Sequence, residues 1–313
     1  MDPASGSDDR VPIAVGPTRR ADVVEAVTDG GGRVVDFSEA EGCIWLDLKD
    51  LDGLRDVLHP GLRWVQLPAA GIESWVAHIA ADTTRTYTAA TGAYSPQVAE
   101  HTLALLLAGA RRLHQNARSK TWQGRSEREG TTLFGADVLI VGCGGIGEAL
   151  IELLVPFRAR VHAVTRSGRQ VAGAVASYRF DQLPELWGTA PFIVLSAPLT
   201  QETRHVVDSA ALALMQAGAW IVNVGRGELV DTDALIAALQ AGSILGAALD
   251  VTSPEPLPDG HPLWDLEEVL ITPHTANPKA LLQARLAERI ENNVRRLAAG
   301  EDLLGTVRPG VGY

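Results

Sequence analysis

The sequence feature that most constrains the fold is a glycine-rich stretch at residues 137–147, Asp-Val-Leu-Ile-Val-Gly-Cys-Gly-Gly-Ile-Gly. An apolar, strand-like run precedes the glycines, and a helical pattern, Glu-Ala-Leu-Ile-Glu-Leu-Leu, follows them. A buried strand that enters such a turn and leaves as a helix is typical of dinucleotide binding, with a purely structural turn as the alternative. The residues predicted to hold the phosphates at the helix N-terminus are Gly142, Gly144, Gly145, Ile146 and Gly147.

The size and charge of the chain limit the functions it can have. At 313 residues it exceeds one typical domain, so two domains with separate cores are expected. A net charge of -11 and a pI near 5.2 argue against general electrostatic binding of nucleic acid or anionic membranes. The two cysteines, Cys43 and Cys143, indicate a reducing compartment without a disulfide framework, and neither is expected to bind a metal.

The sequence predicts neither a secretory signal nor a membrane span. The first residues, Met1 to Arg10, are polar and small and lack the apolar core of a signal peptide. Later apolar runs are all shorter than a membrane span. These patterns predict a protein of the cytoplasm.

The first third of the chain alternates between strand and helix patterns, which predicts a small α/β domain. Strands are predicted at Val11–Val15, Val34–Phe37, Cys43–Leu46 and Leu62–Leu67, and helices at Arg20–Thr28 and Leu48–Leu58. The last of these strands leads into Pro-Ala-Ala-Gly at residues 68–71. The backbone N–H groups of this loop can bind an anion, although an ordinary tight turn is equally compatible with the spacing.

The remaining sequence predicts a larger α/β domain and then a return to the first. Ser95 and Pro96 form a helix start, Gln97–Arg112 a long helix, and the polar stretch Arg111–Thr132 an irregular connection. The glycine helix should end near Pro156, and the later strands are predicted at Arg160–Thr165, Phe192–Ser196, Ala219–Val224, Leu245–Val251 and Val269–Thr272. A final helix, Lys279–Ala299, would return to the first domain. We therefore expect a substrate domain of residues 1–96 and 280–313 and a dinucleotide-binding domain of residues 97–279.

Side chains capable of catalysis follow several of the later strands. Arg226 lies in Asn-Val-Gly-Arg-Gly, Asp250 and Glu255 in Asp-Val-Thr-Ser-Pro-Glu, and His274 in Thr-Pro-His. Ligands of such sheets bind beyond the carboxyl ends of the strands, so these groups are predicted to meet at the nicotinamide. Arginine can bind a carboxylate through two hydrogen bonds and polarise the adjacent carbonyl, while a carboxylate beside histidine favours the protonated imidazole, a general acid. The combination suits reduction of a 2-oxo acid.

Each of these residues also has a structural interpretation when it is considered alone. Arg226 can be a surface ion-pair partner, Glu255 a solvated loop acid, and His274 a cap before a helix. Their common position at strand ends of one sheet favours the catalytic interpretation. The other seven histidines lack such neighbours, and His101, beside Glu100 on the long helix, is interpreted as a structural polar contact.

Five motifs in this order resemble the D-isomer-specific 2-hydroxyacid dehydrogenase family, over nearly the whole chain. They are Val-Ala-Glu-His-Thr at residues 98–102, the glycine turn, Ala-Pro-Leu-Thr at 197–200, Asn-Val-Gly-Arg-Gly at 223–227 and Thr-Pro-His at 272–274. The resemblance implies a doubly wound parallel sheet (Rossmann) cofactor domain and a smaller flavodoxin-like α/β substrate domain that is discontinuous in sequence. It also suggests a homodimer.

The resemblance further implies roles for individual residues. Arg226 would bind and polarise the substrate, His274 would act as acid and base with Glu255 as its partner, and the substrate carboxylate would lie on the backbone of Ala70 and Gly71. Residues implied to contact the cofactor are Thr102, Ala197, Pro198, Val224 and, near the nicotinamide carboxamide, Asp250.

The chain departs from the family pattern after the histidine, where Thr275-Ala276-Asn277-Pro278 replaces a small glycine-containing loop and can reshape the substrate pocket. The absence of a regulatory extension after the last helix disfavours the long, serine-regulated phosphoglycerate dehydrogenases. Glutamate at position 255, where formate dehydrogenases of the superfamily have glutamine, disfavours formate oxidation.

The end of the second Rossmann strand predicts which cofactor is used. NAD-preferring folds place an acid about 20 residues after the glycines to bind the ribose 2′-hydroxyl. Here no acid occurs between Glu152 and Asp181, and the strand ends in Val-Thr-Arg-Ser-Gly-Arg. We therefore predict a preference for NADP(H), with NAD(H) possible, although the arginines can also form a solvated turn. The predicted ligands of the 2′-phosphate region are Thr165, Arg166 as the principal one, Ser167, and Arg169 as a more mobile contributor.

Three functions agree with these features. The first is reduction of a small 2-oxo acid such as glyoxylate or hydroxypyruvate to its 2-hydroxy acid. The second is a dinucleotide-sensing binding protein, because corepressors built on the same fold retain the Arg, Glu and His residues. The third is an NAD-dependent enzyme similar to phosphoglycerate dehydrogenase.

Overall fold

The structure is a computed structural model that describes residues 8–122 and 129–308. Its strands are β1 Val11–Gly16, β2 Gly32–Val34, β3 Gly42–Trp45, β4 Trp64–Gln66, β5 Thr86–Thr88, β6 Asp137–Val141, β7 Arg160–Thr165, β8 Ala176–Arg179, β9 Phe192–Leu195, β10 Trp220–Asn223, β11 Gly246–Leu249 and β12 Val269–Ile271. Its α-helices are α1 Ala21–Asp29, α2 Leu51–Val57, α3 Val76–Ala81, α4 Ser95–Ala110, α5 Leu113–Arg118, α6 Gly145–Leu154, α7 Ser209–Leu214, α8 Thr232–Gln240 and α9 Lys279–Ala299.

The chain divides into two compact units. One contains Met1–Tyr94 and Lys279–Tyr313, and the other contains Ser95–Pro278. The chain thus passes between the units at residues 94–95 and 278–279, whereas the sequence placed the passages at 96–97 and 279–280. The assignment of a ligand to each unit remains a prediction.

The first unit is built on a five-stranded parallel sheet in the order β2-β1-β3-β4-β5. This is the 2-1-3-4-5 order of flavodoxin-like folds, as the sequence predicted. Its core is rich in large aromatic side chains, and Trp45, Trp64, Trp75 and Tyr87 are all buried.

The helix α9 completes the first unit although it is far from the rest in sequence. It packs against α1, and a Cβ atom at Gly30 would lie only 2.7 Å from the carbonyl oxygen of Glu291. The buried Asn293 amide donates to Gln66 Oε1 at 2.8 Å and to the Leu304 carbonyl at 3.0 Å, and its Oδ1 accepts from the Leu304 N–H at 2.8 Å. Buried hydrogen bonds therefore connect α9 to the sheet.

The second unit contains a seven-stranded parallel sheet in the order β12-β11-β10-β9-β6-β7-β8. Numbered within the unit, this is 7-6-5-4-1-2-3, the doubly wound Rossmann order with one added strand. The direction of winding reverses between β6 and β9, which places a ligand crevice at their carboxyl ends. The predicted fold class is confirmed.

Several local predictions were wrong. Residues 35–37 are not part of β2, since the strand ends at Val34 and Phe37–Glu39 forms a 3₁₀ turn. The stretch 111–132 is not wholly irregular, because it contains α5, and residues 123–128 of it lie outside the described part of the chain. Three further elements were not predicted: α3, β5 and β8.

The described residues contain neither a candidate membrane span nor a candidate metal site. No helix within residues 8–122 and 129–308 is long and apolar enough to cross a membrane. Within the same ranges, no group of three or more His, Cys, Asp or Glu side chains is placed to hold a metal ion. The expectation for Met1 to Arg10 falls largely outside these ranges.

Candidate active site

The glycine turn connects β6 to α6 at the crevice between β6 and β9. Gly142 has φ +85°, and a Cβ atom there would lie 2.3 Å from Ala197 Cα, so this position requires glycine. At Gly144 a Cβ atom would meet no atom of the described residues within 4 Å apart from its chain neighbours, which leaves open space beside the backbone. The Glu148 N–H donates to the Gly144 carbonyl, so the amides of Gly145, Ile146 and Gly147 precede the first bond inside the helix. The turn can therefore bind an anion.

The end of β7 carries the arginines predicted to choose the cofactor. The Arg166 side chain is 59% exposed, with Glu202 3.9 Å away. The Arg169 guanidinium is ion-paired with Glu148 and donates to the Cys143 carbonyl at 3.1 Å. Arg169, predicted as a more mobile contributor to the 2′-phosphate site, lies against the glycine turn in the structure.

The other predicted contacts of this region lie close by on the same edge. The Thr165 side chain is buried, and its hydroxyl oxygen has no hydrogen-bond partner among the described residues. Ser167 forms an isolated antiparallel bridge with Arg179, at the end of β8. These positions remain predicted ligands of the adenosine ribose.

His274 and Glu255 form a close pair beyond the ends of β11 and β12. His274 Nδ1 lies 2.7 Å from Glu255 Oε1, and the two side chains are 56% and 40% exposed. Glu255 Oε2 accepts from the Thr252 N–H at 3.4 Å. Because Nδ1 faces the carboxylate, Nε2 on the opposite edge of the ring is the nitrogen that can exchange a proton with a substrate.

Arg226 follows β10 in a loop that lies against the segment carrying Glu255. The buried Asn223 side chain donates to the Arg226 carbonyl at 2.9 Å and accepts from the Gly225 N–H at 3.1 Å, which fixes the loop. A Cβ atom at Gly227 would lie 1.9 Å from the Thr252 carbonyl oxygen, so only glycine lets the loop approach Thr252 this closely. Through Thr252 the structure brings Arg226, Glu255 and His274 into one region.

The Asp250 carboxylate is hydrogen-bonded to the backbone that follows His274. Its carboxylate accepts from the Thr272 hydroxyl at 2.6 Å and from the N–H groups of Thr275 and Ala276 at 2.9 and 3.2 Å. Burial would raise the pKa of Asp250, but hydrogen bonds from His101, Thr272 and these amides outweigh it and the pKa is lowered. The carboxylate is therefore ionised although it is only 2% exposed.

His101 belongs to this cluster, which sequence reasoning did not find. Its Nε2 lies 3.1 Å from Thr272 Oγ1 and 3.4 Å from Asp250 Oδ1. Thr272 is 171 residues away from His101 in sequence and Asp250 about 150, so no local pattern links them. The available signal was the position of His101 on an inward-facing turn of α4, between the buried Val98 and Leu105.

The remaining predicted contacts are placed separately. Thr102 is buried in α4 and its hydroxyl donates to the Val98 carbonyl, while Val224 donates its N–H to the Leu195 carbonyl. Ala197 lies against Gly142, and the Pro198 carbonyl accepts from the Thr203 hydroxyl. Ala70 and Gly71 belong to the other unit, in the loop after β4.

Comparison with known proteins identifies relatives over most of the chain. A family profile described as "D-isomer specific 2-hydroxyacid dehydrogenase, NAD binding domain" matches residues 102–276. An uncharacterized protein in the proB 3' region of Corynebacterium melassecola is 39% identical over 92% of this chain and 95% of its own length. A glyoxylate reductase of Aeropyrum pernix is 33% identical over 77% of this chain and 75% of its own length.

A longer relative and a crystal structure extend the comparison. A D-3-phosphoglycerate dehydrogenase of Mycobacterium bovis is 37% identical over 68% of this chain, but the match spans only 41% of that protein. The crystal structure of a D-isomer specific 2-hydroxyacid dehydrogenase from Xanthobacter autotrophicus, in complex with NADPH and MES, has a TM-score of 0.81 and 28% identity, covering 97% of this chain and 99% of that one. The predicted resemblance is confirmed, and the chain belongs to the D-isomer specific 2-hydroxyacid dehydrogenase family.

Proposed function

We propose that the protein reduces a small 2-oxo acid, such as glyoxylate or hydroxypyruvate, to its D-2-hydroxy acid and that it prefers NADPH. The observation that carries the reaction is the 2.7 Å contact between His274 Nδ1 and Glu255 Oε1 beside the Arg226 loop. A cation for the substrate carboxylate and an imidazole backed by a carboxylate are the two groups that this reduction requires.

Each residue of the site has a separate role in the proposed reaction. A nicotinamide cofactor bound at this site would supply the hydride for C2 of the substrate. Arg226 binds the substrate carboxylate and draws electron density from the carbonyl. Glu255 stabilises the protonated imidazole of His274, whose Nε2 gives its proton to the carbonyl oxygen. In the oxidative direction Nε2 takes the same proton back.

The arginine-rich end of β7 supports the NADPH preference. The side chains there carry positive charge, and the acid that would bind a 2′-hydroxyl is missing. Arg169 is paired with Glu148, and Arg166 is the first residue after β7, where NAD-preferring folds place the acid and NADP-binding folds an arginine. We therefore assign Arg166 as the principal ligand of the 2′-phosphate.

The test is a panel of 2-oxo acids assayed with NADPH and NADH, followed by Arg166→Ala with the best acid. A charge-assisted hydrogen bond is worth about 1.5–3 kcal/mol, so the variant should lose on the order of ten- to hundredfold in kcat/KM for NADPH and little for NADH. Arg160→Ala is the matched control, because Arg160 lies at the opposite end of β7 and pairs with Asp137. A parent that prefers NADH, or a variant with unchanged preference, refutes the assignment.

The role of His274 is tested independently of cofactor choice. His274→Ala should lower kcat by about 10²- to 10⁴-fold, the usual contribution of general acid catalysis, with cofactor binding retained. Near-normal turnover would exclude His274 as the acid. Binding of NADPH without turnover of any acid by the parent would favour the dinucleotide-sensing protein instead.

We further propose that the protein acts in the cytoplasm as a homodimer. The acidic, cysteine-poor composition supports the location, and membership of the family supports the assembly. Light scattering on the purified chain measures the mass directly, and a mass of one chain, 33.2 kDa, would contradict the dimer.

A further inference from the structure

His101 on α4 contacts the same buried carboxylate that holds the backbone of His274. We propose that His101 is a positioning residue for His274 and acts through Thr272 and Asp250. The inference rests on the proposed function in one respect, namely that His274 is the proton donor.

The hydrogen atoms in this cluster can be assigned from the acceptor groups. The ionised Asp250 carboxylate can only accept, so the single hydroxyl proton of Thr272 lies in the 2.6 Å bond to Asp250 Oδ1. Thr272 Oγ1 then presents only lone pairs to His101 Nε2, 3.1 Å away. Nε2 must therefore carry a proton, which faces Thr272 Oγ1 and, at 3.4 Å, Asp250 Oδ1, so the donors of His101 and Thr272 both lead to Asp250.

The end of this chain determines the backbone around His274. The His274 N–H donates to the carbonyls of Asp250 and Thr272 at 2.8 and 2.9 Å, and the next two N–H groups donate to the Asp250 carboxylate. His274 itself has φ +53°, a left-handed conformation that residues other than glycine adopt only when their surroundings impose it. The bonds to Asp250 on both sides supply that constraint.

Removing the donor at position 101 disturbs this arrangement through Thr272. Without the His101 N–H, the Thr272 oxygen loses the donor that fixes it from α4, and Asp250 loses the imidazole N–H that lies 3.4 Å from its Oδ1. The buried carboxylate keeps its amide partners and the Thr272 hydroxyl, but the Thr272–Asp250 pair is no longer held from α4. His274 should lose its fixed orientation toward Glu255 before the fold itself is lost.

The experiment compares variants that keep the donor with variants that remove it. His101→Gln places an amide N–H₂ donor near the position of Nε2, whereas His101→Leu has a similar bulk and no donor. Thr272→Ser keeps the hydroxyl, and Thr272→Val replaces it with a methyl group of similar size. The second pair tests the same chain from its middle if the Leu variant does not fold.

The readouts are kcat, KM for the 2-oxo acid, the NADPH dissociation constant, and ¹⁵N NMR of the His274 ring in histidine-labelled protein. In His101→Leu and Thr272→Val, kcat should fall on the order of ten- to hundredfold, since small misplacements of reacting groups cost about that much. KM for the acid should change less than kcat, and the His274 Nδ1 resonance should move toward that of an unpaired ring. His101→Gln and Thr272→Ser should stay within a few-fold of the parent.

Two outcomes would overturn the proposal. One is a folded Leu or Val variant with parental kcat and an unchanged His274 resonance. The other is an equal loss in the donor-keeping and donor-removing variants, which would indicate bulk packing instead of a hydrogen-bond chain. If the parent reduces no acid, the proposed function fails, and the NMR comparison still decides whether His101 positions His274.

Discussion

Glu255 places a negative charge beside His274 through a single short contact. In Glu255→Gln that charge is gone, so the protonated imidazole that acts as the acid in reduction loses its stabilising partner. Because reduction consumes that proton, the alkaline limit of reductive activity should move to lower pH. A pH profile of kcat/KM from about pH 5 to 10 measures this, and Glu228→Gln, which alters a surface pair with Arg204, is the control. A profile identical to that of the parent would remove Glu255 from this role.

Arg226 should not be replaceable by the other basic residue. Lysine keeps the charge in Arg226→Lys but cannot form two parallel hydrogen bonds with a carboxylate. We expect KM for the 2-oxo acid to rise and kcat to fall, because the same group also polarises the carbonyl. Steady-state kinetics at saturating NADPH separates the two parameters. If neither parameter changes, Arg226 serves the loop structure alone.

The residues of the site differ in how far sequence could predict them. Arg226, Glu255 and His274 each follow a strand whose pattern was readable, and the structure brings them together around Thr252. Their roles remain proposals. His101 was interpreted as a structural polar contact, and its partners Thr272 and Asp250 were not predicted, because they depend on how α4 packs on the sheet, which local sequence does not encode.

The β6–α6 turn contains two kinds of glycine, one that the backbone conformation requires and one that leaves space for a ligand. Gly142→Ala should destabilise the protein by about 1–3 kcal/mol or more, because alanine is strained at φ +85° and its Cβ would meet Ala197. Gly144→Ala should fold as the parent does, since its Cβ meets no protein atom, but it should bind the dinucleotide poorly. Denaturant unfolding and NADPH titration by fluorescence measure the two effects. Parental affinity in Gly144→Ala would show that phosphates do not approach there.

Elements with a strong internal pattern were predicted, and elements stabilised mainly by their neighbours were missed. The strand β7 and the helix α9 have the predicted bounds, since each has a clear apolar periodicity. The strand β8 has a partly exposed Ala-Ser-Tyr-Arg sequence and exists because it pairs with β7 at the sheet edge. The helix α5 has six residues and is preceded by Arg112, whose left-handed conformation follows from no sequence signal.

The stability of the first unit depends on α9, the last helix in the sequence. In Asn293→Ala, the buried Gln66 Oε1 and the part-buried Leu304 N–H and carbonyl each lose a partner, and a buried group left unsatisfied costs about 1–3 kcal/mol. We expect a lower denaturant midpoint for this unit than in the parent. Asn292→Ala is the matched control, because that amide bonds to Glu288 within its own helix and should change stability by less than about 0.5 kcal/mol. Equal midpoints for the two variants would contradict the role of Asn293.

The two cysteines make such unfolding visible in each half of the chain separately. Cys43 lies in β3 of the first unit and Cys143 in the glycine turn of the second, both buried, and burial raises the pKa of each thiol to about 12. Folded protein should therefore resist alkylation at neutral pH, and each thiol should become reactive only when its own unit opens. A short pulse of iodoacetamide at increasing urea, followed by peptide mass spectrometry, then yields one opening curve per unit from an unmodified natural sequence. In Asn293→Ala the curve for Cys43 should shift to lower urea while that for Cys143 stays in place.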